Sequence, residues 1–191
     1  MYINTSTLAY PISEAQIKAA TPQVSYPNPF VAPAPYAWVF PTPQPAYDWI
    51  TQGVREIAPV FTSPNWYQVW QVYALTAQQI IDNNALNKSN FLRDAKVNTM
   101  VYLNTFAQER DYMGVDTGVT YVGSSLAQLN ADATYMKTAR DSVLSYAYGV
   151  LDQVATDAIP VPTMASFMAG LPVLTWPSPE THAAVNGTPV L

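Results

Sequence analysis

The side chains best able to do chemistry crowd into one stretch, Glu109-Arg110-Asp111-Tyr112-Met113-Gly114-Val115-Asp116, which continues through Gly118 to Tyr121-Val122-Gly123-Ser124-Ser125. Glu109, Asp111 and Asp116 could supply the pair of carboxylates that glycoside hydrolysis needs, one as acid and one as base or nucleophile. Acidic groups packed this closely in a turn more often cap helices and solvate the bend. A second candidate is the single histidine, His182, which stands among small polar residues, Pro and Gly near the C-terminus and reads as a surface residue. A Ser-His-Asp triad would have no other histidine to draw on. Cysteine is absent, which excludes disulfide frameworks, thiol catalysis and Cys-based zinc or iron-sulfur sites. The third candidate is Arg140, a guanidinium set in an apolar helical row. It needs an acidic partner, for which Glu109, Asp111, Asp116 and Asp141 are available, or a route to water along its own stem. From these residues no enzymatic activity, no catalytic residue, no cofactor and no metal site is expected.

Composition narrows the class further. The chain has 191 residues, 49% of them apolar, enough for a sizeable core in one large or two small domains. A net charge of −5 speaks against nucleic acid, because neutralising phosphates takes a basic surface. No apolar run approaches the length of a membrane span, and the N-terminal residues lack a basic region followed by an apolar one, so a soluble intracellular protein is expected. Only 11% of residues are charged, well under the usual quarter or so. A surface so poor in charge is disposed to protein contacts.

The elements that must position these groups follow from the prolines. Eleven of the seventeen lie between Pro11 and Pro64, none between Asn65 and Ile159, and six from Pro160 onward. Proline ends helices and is confined to strand edges and turns, so the first third cannot form long helices and the middle can. The fold class is therefore α+β: a small Pro- and aromatic-rich β module over residues 1–75, an α-helical hairpin or bundle module over 76–177, and a flexible tail over 178–191.

In the first module Ser13-Glu14-Ala15-Gln16 reads as a capping box opening a short helix that stops before Thr21-Pro22. Three strands are expected, Tyr36 to Phe40, Gly53 to Phe61 and Trp66 to Leu75. Along the last, Trp66, Trp70 and Val72 share one face and Tyr67, Val69 and Tyr73 the other. Four of the five tryptophans fall in this module. They read either as a small core built from large rings or as an aromatic contact surface, on which Trp38, Phe40, Trp66 and Trp70 are the partner-binding candidates.

In the second module Thr76-Ala77-Gln78-Gln79 repeats the capping box, and helix continues to about Tyr112 with a distortion around residues 83 to 90, where Asn, Lys and Ser are poor helix formers. Val97, Val101 and Asn104, with Met100 and Leu103 beside them, form its candidate apolar stripe. A second long helix from Ser124 or Ser125 to about Asp157 carries Leu126, Leu129, Ala133, Met136, Arg140, Val143, Ala147, Val150 and Val154 at helical spacing. Two antiparallel helices rarely enclose a core alone. Either a third helix, capped by Thr163 and ended by Gly170, completes it, or other copies of the chain do, with Leu129, Met136, Arg140, Val143 and Val150 as the oligomerisation candidates of a homotrimer. The central turn, rich in glycine, is expected to need φ > 0.

Several of these segments carry a resemblance. Tyr10-Pro11-Ile12-Ser13-Glu14-Ala15-Gln16-Ile17, Tyr36-Ala37-Trp38-Val39-Phe40-Pro41-Thr42-Pro43, Gly53 to Val60 and Trp66 to Val72 resemble the N-terminal region of the phage tail fibre assembly proteins. The companion region is matched by Glu109-Arg110-Asp111-Tyr112, Tyr121 to Ser125, Ala139-Arg140-Asp141-Ser142-Val143-Leu144, and Pro162-Thr163 leading to Leu171 through Pro177. The family pattern carries a tryptophan on each side of the arginine, where this chain has Ala139 and Leu144. The resemblance implies a chaperone, acting in the host cytoplasm during phage assembly, that binds the distal part of a tail fibre subunit and assists its folding and trimerisation. With it goes the expectation of a homotrimer in a 3:3 complex with the fibre; charge and hydropathy lead to no nucleic acid or membrane partner being expected. Two other readings stay open: a virion component such as a fibre adaptor or baseplate-attached protein, and a carbohydrate-binding tip module.

Overall fold

A computed structural model describes residues 1–177; the expected tail and His182 lie outside the described residues. The fold is α+β, strands first and helices after, in two compact units that divide between Asn83 and Asn84. The dividing line falls inside a helix, downstream of the composition boundary near residue 75.

The first unit begins with β1 (Tyr2–Asn4), α1 (Glu14–Ala20), β2 (Tyr36–Phe40), β3 (Gln52–Thr62) and β4 (Asn65–Ala74). Helix α1 starts as its capping box dictates: Ser13 Oγ accepts from the Gln16 amide at 3.2 Å while Gln16 Oε1 accepts from the Ser13 amide at 2.8 Å. The three long strands form where aromatic and β-branched residues are dense. Strand β1 is an addition to the expected set, too short for its alternation to show in sequence. The strand order is β1-β2-β4-β3, with β2 parallel to β4 and the other pairs antiparallel. Between Ile57 and Val60 the β3–β4 register shifts. This β-bulge absorbs Ala58 and Pro59, where a residue without an amide hydrogen costs no ladder bond. Ile3, Ile17 and Val39 are the fully enclosed aliphatic side chains of this unit.

Helix α2 (Ala77–Gln108) follows, capped by Thr76, whose Oγ1 accepts from the Gln79 amide at 3.3 Å. It runs unbroken through residues 83 to 90, correcting the expected distortion. The polar side chains there are engaged rather than disruptive: Asn83 donates to the Trp49 carbonyl at 2.8 Å and Lys88 pairs with Asp157 at 2.8 Å. Each weak helix former costs only a few tenths of a kcal/mol, and 32 residues of helix outweigh them.

The second unit continues with α3 (Val115–Gly118), a 3₁₀ turn (Val119–Tyr121), α4 (Ala127–Ala155) and α5 (Met164–Ala169), the last capped by Thr163 as expected. Its core joins Phe91, Ala95, Leu103 and Phe106 of α2 to Met136, Ala139, Val143, Ala147, Leu151 and Val154 of α4, with Phe167 of α5. The α2 stripe is therefore rotated from the expected one: Val97 and Val101 are exposed, Leu103 and Met100 beside them do meet the core, and Phe91, Ala95 and Thr99 face inward. Of the glycines in the central turn only Gly123 takes left-handed backbone, at φ 87; the non-glycine Asp111 does so at φ 60. Gly118 has ordinary helical φ; a Cβ there would collide with the Met136 thioether, so it serves close approach instead.

Candidate functional site

Backbone pairing separates the first unit's aromatics into two sets. Phe40 and Val60 both stand opposite Tyr67, which puts one residue from each of β2, β4 and β3 in a single row. Ile57 beside Val69 and Arg55 beside Gln71 continue that face along the strands, and Trp38 lies on it two residues before Phe40. Trp38 meets Tyr2 edge-on at 5.0 Å, and Tyr2 meets Phe30 at 5.6 Å, extending the aromatic surface across β1. Phe40 packs on Tyr67 at 5.8 Å, and Arg55 lies over Tyr73 at 5.4 Å. Around the half-buried Tyr67 this face remains open: Trp38 is 45%, Phe40 41% and Val60 52% exposed.

Trp66 and Trp70 belong to the opposite face, with Val39. There the segment after β2 folds over β4: Trp70 Nε1 donates to the Thr42 carbonyl at 3.1 Å, and Thr42 donates two further hydrogen bonds to Gln68, one to its side-chain oxygen and one to its carbonyl. Trp66 packs against Phe61 at 5.4 Å. So the four nominated residues do not form one surface. Trp38 and Phe40 stand on the open face, while Trp66 and Trp70 are half-buried behind it.

The outer edge of this sheet is β3. The Ala58-Pro59 bulge interrupts it, leaving Gln52–Ile57 as the regular part that can pair with another strand. Glu56 in that segment accepts a hydrogen bond from the Tyr10 hydroxyl, tying the N-terminal segment to the strand. What the arrangement can do is bind an apolar, extended partner through rings, with main-chain pairing at one edge.

The chemistry-bearing residues of the second unit are arranged differently. Glu109 and Asp111 are exposed, and Asp116 is exposed and pairs with Arg140 at 3.6 Å. Arg140 also reaches Asp141 at 3.1 Å with its side chain one-quarter exposed, so the charge sits at the edge of the row. Leu129 and Val150 are half-buried against the core. Met136 and Val143 have no exposed surface at all and close this chain's own core, so neither can reach a second copy.

The buried charge lies elsewhere. Arg110 Nη1 donates to Asp132 Oδ1 at 2.5 Å, both side chains almost fully enclosed. Gln128 donates to Oδ1 at 2.8 Å and the Tyr112 hydroxyl to Oδ2 at 3.2 Å. The guanidinium lies 4.3 Å over the Trp176 ring, which stacks on Phe106. Burial, and then the Asp132 charge, push the Tyr112 phenol well above its ordinary value, so it stays a donor. Sequence reasoning passed over Asp132, although it falls three residues after Leu129 and four before Met136, on the same helical row. A carboxylate held by a paired guanidinium and two donors, with both charged side chains almost fully enclosed, makes a structural network. No cluster of three metal-ligating side chains occurs among the described residues. No helix among them is long and apolar enough to cross a membrane.

Comparison with family models, with curated proteins and with solved structures finds no match to this chain.

Proposed function

We propose that the chain is an assembly chaperone for a phage tail fibre, binding the distal part of the fibre subunit through the open aromatic face of its N-terminal sheet. The observation that carries this reading is the row Phe40, Tyr67 and Val60, continued by Trp38: Trp38, Phe40 and Val60 exposed together around a half-buried Tyr67, beside an unpaired strand edge. The sequence resemblance supplies the identity of the partner. Fibre tips are intertwined β structures whose long-range pairing closes slowly while apolar edges stand exposed. An aromatic surface with a short free strand can cover such an edge until its proper neighbour arrives. Three copies bound to three fibre chains, in the host cytoplasm, would raise the effective concentration for trimerisation.

The test is co-expression with a fibre subunit encoded beside it, with trimer yield measured by native mass. Wild type is expected to raise the yield, and Trp38→Ser with Phe40→Ser to abolish the gain while leaving the circular dichroism unchanged. A fibre that trimerises equally well alone, or a double variant as effective as wild type, overturns the proposal. Recovery of the chain from purified particles at fixed copy number would replace it by the adaptor reading.

A further inference from the structure

The α2–α4 hairpin is covered unequally on its two flanks. On one, Phe167 packs against Phe91 and Tyr146, and the segment after α5 runs along the hairpin: the Pro172 carbonyl accepts from the Tyr102 hydroxyl at 2.9 Å, and Trp176 reaches Phe106 and Tyr135. The other flank is covered at one end only, where the Val115 amide donates to Asn104 at 3.0 Å and Asp116 reaches Arg140. Beyond that end the flank is open. A cleft of about 70 Å³ lies there between Lys96 and Met100 of α2 and Leu144, Tyr148 and Leu151 of α4. Tyr148, on its α4 lip, is 56% exposed.

We infer that this cleft is the contact through which copies of this chain associate, α2 of one packing beside α4 of the next about an axis parallel to the helices. The charges argue for a copy of the same chain. Lys96 lines the cleft from α2, and Asp152, exposed and next to the lining residue Leu151 on α4, stands at the same level. Neither takes part in an ion pair among the described residues, where most other cations do. Rotation about an axis parallel to the helices leaves each residue at its own level, so it sets Lys96 of one copy against Asp152 of the next. The same rotation sets the apolar lips together over the cleft, which takes a side chain as a knob enters a hole. Met136 and Val143 are not needed for this contact. It concerns the purified chain and does not depend on the fibre.

The experiment is light scattering on the full chain over a concentration series. Wild type is expected to run as a dimer or trimer at micromolar concentration, and Lys96→Glu and Asp152→Lys each to weaken association at least tenfold. Combining them is expected to restore it, which a merely structural role for either residue would not do. Tyr148→Asp, at an exposed position on the cleft that tolerates the change, is expected to give a folded monomer. A wild-type monomer, or charge reversals that leave the mass unchanged, or a double variant as dissociated as the singles, overturns the inference.

Discussion

Asp132→Ala removes the acceptor of the only ion pair whose two side chains are both almost fully buried among the described residues. It leaves the Arg110 guanidinium, with 3% of its side chain exposed, enclosed without its carboxylate. It also takes the acceptor from Gln128 and from the Tyr112 hydroxyl. Breaking a buried pair from one side costs about 3–5 kcal/mol, because the remaining charge keeps its desolvation penalty and loses its compensation. The exposed Lys18–Glu14 pair, about half open on both sides, is worth no more than ~0.5 kcal/mol by comparison. The assay is urea unfolding followed by far-ultraviolet circular dichroism, which reports mainly the helices of the second unit. Asp132→Ala is expected to lower its midpoint by the full amount, while Asp132→Leu combined with Arg110→Met is expected to recover most of the loss, since an apolar pair of similar volume leaves no charge stranded. A cost below about 1 kcal/mol for Asp132→Ala would refute the reasoning, because it would mean that Arg110 reaches water at no cost.

Two further outcomes concern the same unit. The Tyr112 phenol is held above its ordinary value of 10.0, so the folded chain keeps a proton that the unfolded chain releases. The stability this contributes is whole below pH 10 and is lost as pH rises toward the folded value, at up to about 1.4 kcal/mol per pH unit; Tyr112→Phe should flatten that alkaline arm in pH-dependent denaturation, and an arm unchanged in the variant would assign it elsewhere. Val143→Asp places a carboxylate in a core position with no exposure and no partner, and should unfold the helical unit by circular dichroism rather than yield a folded, dissociated chain.

The parts of this fold that were legible from sequence are those fixed by local chemistry. Ser13 with Gln16, Thr76 with Gln79, and Thr163 each cap the helix they appear to cap, because a side-chain oxygen three residues before an orphan amide satisfies it whatever the tertiary context. The proline-free interval is the helical interval because proline cannot sit inside a helix. Three features were illegible for tertiary reasons. Asn83 and Lys88 read as helix breakers until Trp49 and Asp157 are there to bond them. Val97 and Val101 are as apolar as Phe91 and Ala95, and only the position of α4 decides which row is covered. Asp132 was hidden because a carboxylate on an apolar row is explicable only with the guanidinium that reaches it from 22 residues away.

The aromatic surface shows where parity stops being informative. Alternation along β4 separates Trp66 and Trp70 from Tyr67 and Val69 from the sequence alone, and the backbone pairing bears that separation out. It cannot say which set the chain keeps for itself. That is decided by residues remote in sequence: Val39 stands opposite Trp66, and Ile3 opposite Ala37, so both side chains fall on the tryptophan face and are fully enclosed there. Thr42 then seals Trp70 from the same side. Trp38 and Phe40, one residue to either side of Val39, are turned outward by the same alternation. Burying Val39 is thus what exposes them, and a surface of this kind is found by locating the smallest residue the core cannot leave out.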